Sequence, residues 1–386
     1  MRCKKTRVAI QQPSLAKYRI PLYEALSNFD DMEFELIYST NDDSLPNEKP
    51  TSFRGEYLPM KRFRVGRRVL MWHSAQWSLV NDNDVVILSW DLQYLSLIPS
   101  LIKARMLGVK TILWGHGYSK NDSKIRKFLR DSVGRLANGL LFYDYHTADS
   151  FIKEGWNKHE IFVAPNSLDQ KEIQYARALW LNSHDCLEQF TIDNSLTDKE
   201  NIIYIGRVYS ENRLDLLIHA IKHLKYQNRS VQLLIIGKEN EHTDELKVLA
   251  KRLGVTNDIK WLGAIYDEKE IAPYMLSSSL CCYPSNVGLS VMHAMGYGVP
   301  VLTNDNIKSH NPEIYVIDDG INGIFYKEND AVDLANKINE FFISEKKHEL
   351  GINGRRKMLS EYTMGNMANG FYKCIRGVLD ENKSCD

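Results

Sequence analysis

Three short stretches of this 386-residue chain carry side chains suited to phosphate or proton chemistry. The longest reads Tyr283-Pro284-Ser285-Asn286-Val287-Gly288-Leu289-Ser290-Val291-Met292-His293-Ala294-Met295-Gly296-Tyr297-Gly298-Val299-Pro300-Val301. An apolar run ends in a Pro/Ser/Asn turn, and the spacing of Val291, Ala294 and Met295 predicts a helix starting near Gly288. The free N–H groups and positive end of such a helix suit a diphosphate, and Gly288 lets a ligand approach the backbone. Ordinary turn chemistry accounts for Asn and Gly at these places equally well. The second stretch is Ile205-Gly206-Arg207. A guanidinium there could neutralise a leaving phosphate, the structural alternative being a surface or interdomain salt bridge. The third is Trp114-Gly115-His116-Gly117. Its glycines leave backbone open to a ligand, and His116 could donate a hydrogen bond or move a proton; a purely structural histidine is the alternative.

These stretches need elements to position them. Short apolar runs alternate with amphipathic helical patterns throughout, which points to an α/β protein with mainly parallel sheets. Strands are expected at 7–10, 33–38, 85–88, 111–113, 139–142 and 161–163, then at 201–205, 231–236, 259–261, 280–283, 299–303 and 323–326. Helical spacing recurs at Leu22, Ala25 and Leu26 behind Pro21, at Leu214 to Leu224, at Leu246 to Leu253, at Leu334 to Phe342 and over 363–379. Two doubly wound domains follow, joined somewhere between Gln170 and Lys199. Ligands of open parallel sheets bind beyond the carboxyl ends of the strands, where all three stretches fall. Gln11-Gln12-Pro13-Ser14, Gly237-Lys238 and Thr303-Asn304-Asp305 fall there too. Two such edges facing each other would form an interdomain cleft.

Length agrees with two domains, since one core seldom grows past about 250–300 residues. Lys plus Arg equals Asp plus Glu, 49 each, which argues against a dedicated nucleic-acid binder. No run approaches the roughly 20 apolar residues of a membrane-spanning helix, and Val8-Ala9-Ile10 is too short for a signal peptide. The six cysteines, at 3, 186, 281, 282, 374 and 385, show neither CxxC nor metal-like spacing. A reduced, cytoplasmic protein without disulfides or structural metal is expected. One local charge run stands out. Lys61, Arg62, Arg64, Arg67 and Arg68 interleave with Phe63, Val65, Val69, Leu70, Met71 and Trp72, and Lys120, Lys124, Arg126, Lys127, Arg130 and Arg135 follow. This reads either as a solvated loop or helix face or as a docking surface for anionic lipid.

In this order, the motifs resemble the family 4 retaining glycosyltransferases of the GT-B fold. The resemblance runs through most of the chain and is strongest over 201–325. It rests on Tyr204-Ile205-Gly206-Arg207-Val208, Arg213-Leu214-Asp215-Leu216-Leu217-Ile218-His219-Ala220, Leu234-Ile235-Ile236-Gly237, Ile259-Lys260-Trp261-Leu262-Gly263, the 283–301 block and Asp319-Gly320-Ile321-Asn322-Gly323. Ala164-Pro165-Asn166-Ser167-Leu168-Asp169 looks like the family's Pro-Asn-Gly-Val-Asp element, and His116 falls where the family places an active-site histidine.

The resemblance implies two Rossmann-like domains facing a cleft. An acceptor-binding domain would span 1–175, a connection 176–199, a nucleotide-sugar domain 200–362, and a C-terminal helix 363–386 would cross back to the first domain. Donor contacts would come from Gly206, Lys238, Tyr266, Ser285, Asn286, Val287, Gly288, Leu289 and Ser290. Gln12, Tyr18, Arg19, Gly115 and Gly117 would lie on the acceptor side. Catalytic roles would fall to Arg207, His116 and Arg213. The one Asp-x-Asp triplet, Asp82-Asn83-Asp84, precedes a strand and so sits at the wrong sheet edge for a metal-diphosphate site. No metal or other cofactor is therefore expected, the nucleotide-sugar being a co-substrate.

Three departures from the family pattern matter. The acidic pair eight positions apart reads Ser285 and His293. The lysine after Gly-Arg aligns with Asn212, leaving Arg213 one residue further on to supply the charge. The glycine-rich loop after the first strand is replaced by Gln11-Gln12-Pro13-Ser14, followed by Tyr18 and Arg19. The resemblance implies sugar transfer with retention to a glycan or lipid-linked acceptor in surface-polysaccharide synthesis, of O-antigen or capsule type. The enzyme would be cytoplasmic, with possible peripheral contact at the inner membrane. A catalytically silent GT-B binding subunit and a nucleotide-sugar epimerase are the alternatives.

Overall fold

A computed structural model describes residues 4–40, 47–66, 68–118 and 123–380. Cys3, Arg67, Lys120 and Cys385, named in the sequence analysis, lie outside these described residues. The chain divides into two compact units. One runs to Asn166 and includes the last helix, Met364–Asp380; the other is Ser167–Thr363.

The first unit is built on a parallel sheet of β1 (Thr6–Gln12), β2 (Met32–Tyr38), β3 (Arg54–Tyr57), β6 (Val85–Ser89), β7 (Lys110–Trp114), β8 (Gly139–Phe142) and β9 (Ile161–Val163), in the order β3-β2-β1-β6-β7-β8-β9. Between β3 and β6 the chain makes a separate antiparallel pair, β4 (Lys61–Val65) with β5 (Arg68–Trp72). Side chains alternate between two cores, as a period of two requires. Val8, Ile10, Val85, Ile87 and Ile112 enter one core, while Ala9, Val86, Leu88, Leu113 and Leu140 enter the other. The first core is completed by Phe371, Cys374, Ile375 and Val378. That is why the final helix, 200 positions away in sequence, belongs with this sheet: its apolar stripe covers a face otherwise open to water.

The second unit repeats the plan with β10 (Glu200–Ile205), β11 (Val231–Ile236), β12 (Ile259–Gly263), β13 (Leu280–Cys282), β14 (Val301–Asn304) and β15 (Gly323–Tyr326), all parallel, in the order β12-β11-β10-β13-β14-β15. Counted within the unit this is 3-2-1-4-5-6, the Rossmann order, with its switch point between β10 and β13. Every residue of β11 is buried, as expected for a strand covered on both faces.

The α/β fold class and the two Rossmann-like halves read from the sequence are present. Two segments differ from their sequence reading. Lys61–Val65 and Arg68–Trp72, read as part of a loop or helix face, form the β4–β5 pair. Its first strand is exposed throughout, so no buried alternation marks it in the sequence. The stretch assigned to a connection over 176–199 is instead largely helical, Lys171–Leu181 and His184–Asp193, within the second unit. The second of these helices buries no residue completely, which removes the periodic signal. Among the described residues no helix is long and apolar enough to cross a membrane.

Candidate functional site

At the carboxyl edge of the second sheet, the strand order sets four sequence-predicted groups side by side. Tyr266 follows β12, Lys238 follows β11, Arg207 follows β10 and Asn286 follows β13. Arg207, Lys238 and Tyr266 are exposed. The backbone of this edge is drawn tight. Gly206 N–H donates to Ile236 O at 3.0 Å, and Gly237 N–H donates to Gly263 O at 2.8 Å. A Cβ on Gly237 would stand 2.3 Å from Gly206 O, so only glycine fits there.

Arg207 presents its guanidinium outward, with Tyr209 as its neighbour: NH1 lies 3.5 Å from the Tyr209 hydroxyl, and the cation sits 5.4 Å from the ring centre. Its backbone is held from beneath. Arg207 O accepts from the Tyr204 hydroxyl and from Asn212 Nδ2, both at 2.6 Å. Asn212 is buried, and its Nδ2 is also 2.8 Å from the Tyr204 oxygen and 3.2 Å from the Tyr283 oxygen. Tyr204 and Tyr283 stack with centroids 4.8 Å apart. This aromatic–amide hub underlies both turns.

The turn after β13 places Asn286 in the left-handed region, φ 55°, and Asn tolerates that conformation better than most residues. Asn286 Nδ2 donates to Asn212 Oδ1 at 3.1 Å. The Val287 N–H donates to His310 Nδ1 at 3.1 Å, and the Val287 carbonyl accepts from Asn311 Nδ2 at 2.9 Å. Helix Ser290–Tyr297 then begins after Leu289 with no side-chain cap. The first-turn N–H groups of any helix lack intrahelical acceptors, so this uncapped start presents donors and positive potential. A Cβ added at Gly288 would meet nothing nearer than Asn311 Nδ2 at 3.7 Å, which leaves the approach to the backbone open.

Arg213 sits apart from Arg207 in its bonding. It has φ 55°, its Nε and NH2 each lie 3.0 Å from an Asp215 carboxylate oxygen, and NH1 donates to Asn329. The Asp215 hydrogen bond holds this guanidinium above its ordinary pKa. His293 is buried, with Nε2 at 2.8 and 3.0 Å from the two Glu268 oxygens. The Tyr297 hydroxyl donates to Glu268 at 2.8 Å. A carboxylate thus stands against position 293 after all, carried by a different helix, Glu268–Leu276. Ser285 and Ser290 are half-buried in the turn.

In the first unit, the expected acceptor-side residues form two groups. The Arg19 guanidinium lies 5.1 Å from the Tyr18 ring centre and 5.4 Å from those of Trp114 and Tyr143. His116, exposed between Gly115 and Gly117, stacks on Tyr143 with centroids 4.4 Å apart and planes inclined by 27°. Gln12 lies elsewhere, its Nε2 donating to Gln11 O at 3.1 Å beside the Ser89 hydroxyl. Sequence reading missed Tyr143, Asn212 as a hub and Glu268. Tyr143 directly follows β8, so the rule of reading just past each strand would have found it; nothing local marks Glu268. Asp82-Asn83-Asp84 precedes β6, where Asp84 accepts from the Arg7 N–H at 2.8 Å and Asn83 donates to Glu35 at 3.0 Å. Among the described residues no group of three or more His, Cys, Asp or Glu is placed to hold a metal ion.

Residues 187–357 match the model of the family described as glycosyl transferases group 1. No curated protein matches the chain by sequence. Solved structures do match by fold. Anabaena Alr3699/HepE, in complex with UDP, is 15% identical with TM-score 0.71, over 96% of this chain and 99% of its own. A glycosyltransferase from Rickettsia africae ESF-5 is 13% identical with TM-score 0.72, over 98% and 100%. The lipopolysaccharide outer core galactosyltransferase WaaB, in its apo form, is 14% identical with TM-score 0.67, over 96% and 99%. The chain therefore has the GT-B fold, two Rossmann-like units in one polypeptide, with the group 1 glycosyl transferase model matched inside residues 187–357.

Proposed function

We propose that this protein is a retaining, metal-independent glycosyltransferase. It moves a sugar from a nucleotide-sugar donor to a glycan or lipid-linked saccharide acceptor in building a cell-surface polysaccharide of O-antigen or capsule type. UDP is the first candidate nucleotide, because HepE is described in complex with it. The observation that carries the reading is the pairing of an exposed Arg207 with an uncapped helix start at Ser290, on turns joined through Asn212. The family-model match over 187–357 supports it.

The chemistry follows from where charge develops. Breaking the bond between the anomeric carbon and the phosphate oxygen leaves an oxocarbenium-like sugar and a negative diphosphate. Fixed positive groups at the phosphate lower that barrier. Arg207 and the N–H groups at Gly288 to Ser290 fill this role, while Arg213 is engaged by Asp215. The acceptor hydroxyl attacks the same face of the sugar, and its proton passes to the leaving phosphate. His116, stacked on Tyr143, orients the sugar rather than attacking it. Arg19 and its three rings serve the acceptor side.

Peripheral membrane contact belongs to the same proposal. Helix Lys124–Gly134 leaves Ile125 72% and Phe128 69% exposed beside Lys124, Arg126 and Lys127. Apolar anchors ringed by cations suit an anionic lipid surface. The β4–β5 pair adds exposed Phe63 and Val65 beside Lys61, Arg62 and Arg64.

Screening UDP-, GDP-, dTDP- and ADP-sugars for thermal stabilisation and slow donor hydrolysis tests the reading. One nucleotide class should stand out in both, and the released sugar should first appear with the donor's anomeric configuration. Absence of stabilisation and hydrolysis by all four classes would overturn it.

A further inference from the structure

The second unit holds a cavity of about 420 Å³ at the far end of helix Ser290–Tyr297, lined by residues of that helix end and of helix Lys347–Ser360. Three guanidinium groups, of Arg177, Arg355 and Arg356, and the His348 imidazole line it. No acidic residue is among the described residues lining it. Arg177 Nε donates to Tyr297 O at 3.2 Å, and Arg355 Nε donates to Gln174 Oε1 at 3.1 Å. These partners are neutral, so the two guanidinium groups are oriented without being neutralised. Burial, and next the Arg355 cation, push Arg177 below its ordinary pKa. Holding like charges together costs free energy that an anion would recover. Ile352 and Leu359 give the same cavity an apolar wall.

We propose that this cavity binds a phosphoryl group, as a phosphate monoester, between Arg177, Arg355, Arg356 and His348. Guanidinium matches phosphate oxygens in fork geometry, and the volume lies in the range of small-molecule sites. Helix 348, 351, 352, 355, 356 and 359 positions share one face at helical spacing, so a single rigid element supplies most of the site. The site is independent of the glycosyl-transfer reading. It lies at the helix end opposite the Asn286–Ser290 turn and uses none of the same residues.

The test titrates the full chain with glucose 6-phosphate and with potassium phosphate, against potassium chloride at matched ionic strength, by calorimetry and thermal midpoint. A saturable rise in midpoint is expected. Arg355→Gln and Arg356→Gln should each weaken binding about tenfold, the loss of one charge-assisted contact. The Arg356 side chain is exposed and donates no hydrogen bond among the described residues, so its variant separates binding from folding. Arg207→Ala should bind as the parent does, which keeps the donor edge out of the result. Pelleting with phosphatidic acid vesicles is the second arm. Vesicle binding lost in Arg356→Gln, with soluble esters silent, assigns the phosphoryl group to a lipid headgroup. Equal binding by parent and both variants, loss in Arg207→Ala, or no saturable effect of either source overturns the site.

Discussion

Asn286 Nδ2 lies 3.1 Å from Asn212 Oδ1, which joins the turn after β13 to the turn after β10. The same Asn212 holds the Arg207 carbonyl at 2.6 Å. One buried amide therefore sets the backbone beneath the exposed cation and the left-handed residue that opens the helix start. In the glycosyltransferase pattern that the sequence resembles, a lysine aligns with this position. Here a neutral side chain works from below, so positive charge at the edge comes from Arg207, its neighbour Lys238 and the helix N-terminus.

Arg207→Ala should lower turnover about 100-fold or more, the usual cost of removing one fixed donor from developing negative charge. The melting temperature should stay put, because this guanidinium is exposed and its side-chain hydrogen bond is to the Tyr209 hydroxyl. Arg213→Ala should lower turnover less than tenfold, since Asp215 and Asn329 already engage that side chain. Steady-state rates beside melting curves check both.

Two glycines of the same edge should respond oppositely. Gly237→Ala places a Cβ 2.3 Å from Gly206 O, and should cost about 2 kcal/mol or more of stability. Gly288→Ala meets only open space out to 3.7 Å, so its melting curve should match the parent's. Its UDP affinity should nevertheless fall about tenfold, because the methyl group obstructs the backbone approach. Calorimetric titration with UDP and thermal unfolding separate the two effects.

His73 gives the fold an acid weakness. It is fully buried and caps helix Ser74–Ser78, its Nδ1 accepting from the Ala75 N–H at 3.3 Å. Burial pushes its pKa from 6.5 down to about 4. The folded form thus prefers neutral imidazole, while the unfolded chain takes up a proton near pH 6.5. Stability is fully present above that pH and falls as pH drops towards 4, by about 3 kcal/mol at 1.36 kcal/mol per unit. His73→Asn keeps a capping acceptor without a titrating ring, and should flatten the pH dependence of urea unfolding across that window. An unchanged slope would refute the assignment.

Sedimentation with anionic vesicles should recover the protein at 0.1 M salt and release it at 1 M, where the Debye length falls from about 10 Å to about 3 Å. Replacing both Ile125 and Phe128 by Ser should reduce recovery about tenfold at low salt, since both side chains are exposed and the fold does not depend on them. No salt-sensitive recovery of the parent would remove the docking surface from the proposal.

The sheets were legible because parallel strands buried on both faces must be apolar along their length. Val231–Ile236 and Val85–Ser89 announce themselves in this way. The carboxyl ends of Glu200–Ile205, Lys110–Trp114 and Leu280–Cys282 lead to Arg207, His116 and the 285–290 turn. Lys61–Val65 stayed hidden because an exposed pair of strands needs no buried face. Glu268 stayed hidden because its partner His293 is 25 residues away, on another helix.

By itself the sequence determined which runs are buried, hence two parallel sheets and the edge where ligands of such sheets bind. Burial periodicity is a local property of a strand or helix, and it can be read locally. Tertiary structure alone decided which polar side chain finds which partner. It put Asn212 under Arg207, brought Asn329 to Arg213, and set Glu268 against His293. It also brought Arg177 and Arg355, from distant helices, to one cavity with no acidic residue among the described residues lining it. Charge and hydrogen bonding act through space over a few ångströms, and no spacing along the chain encodes that distance.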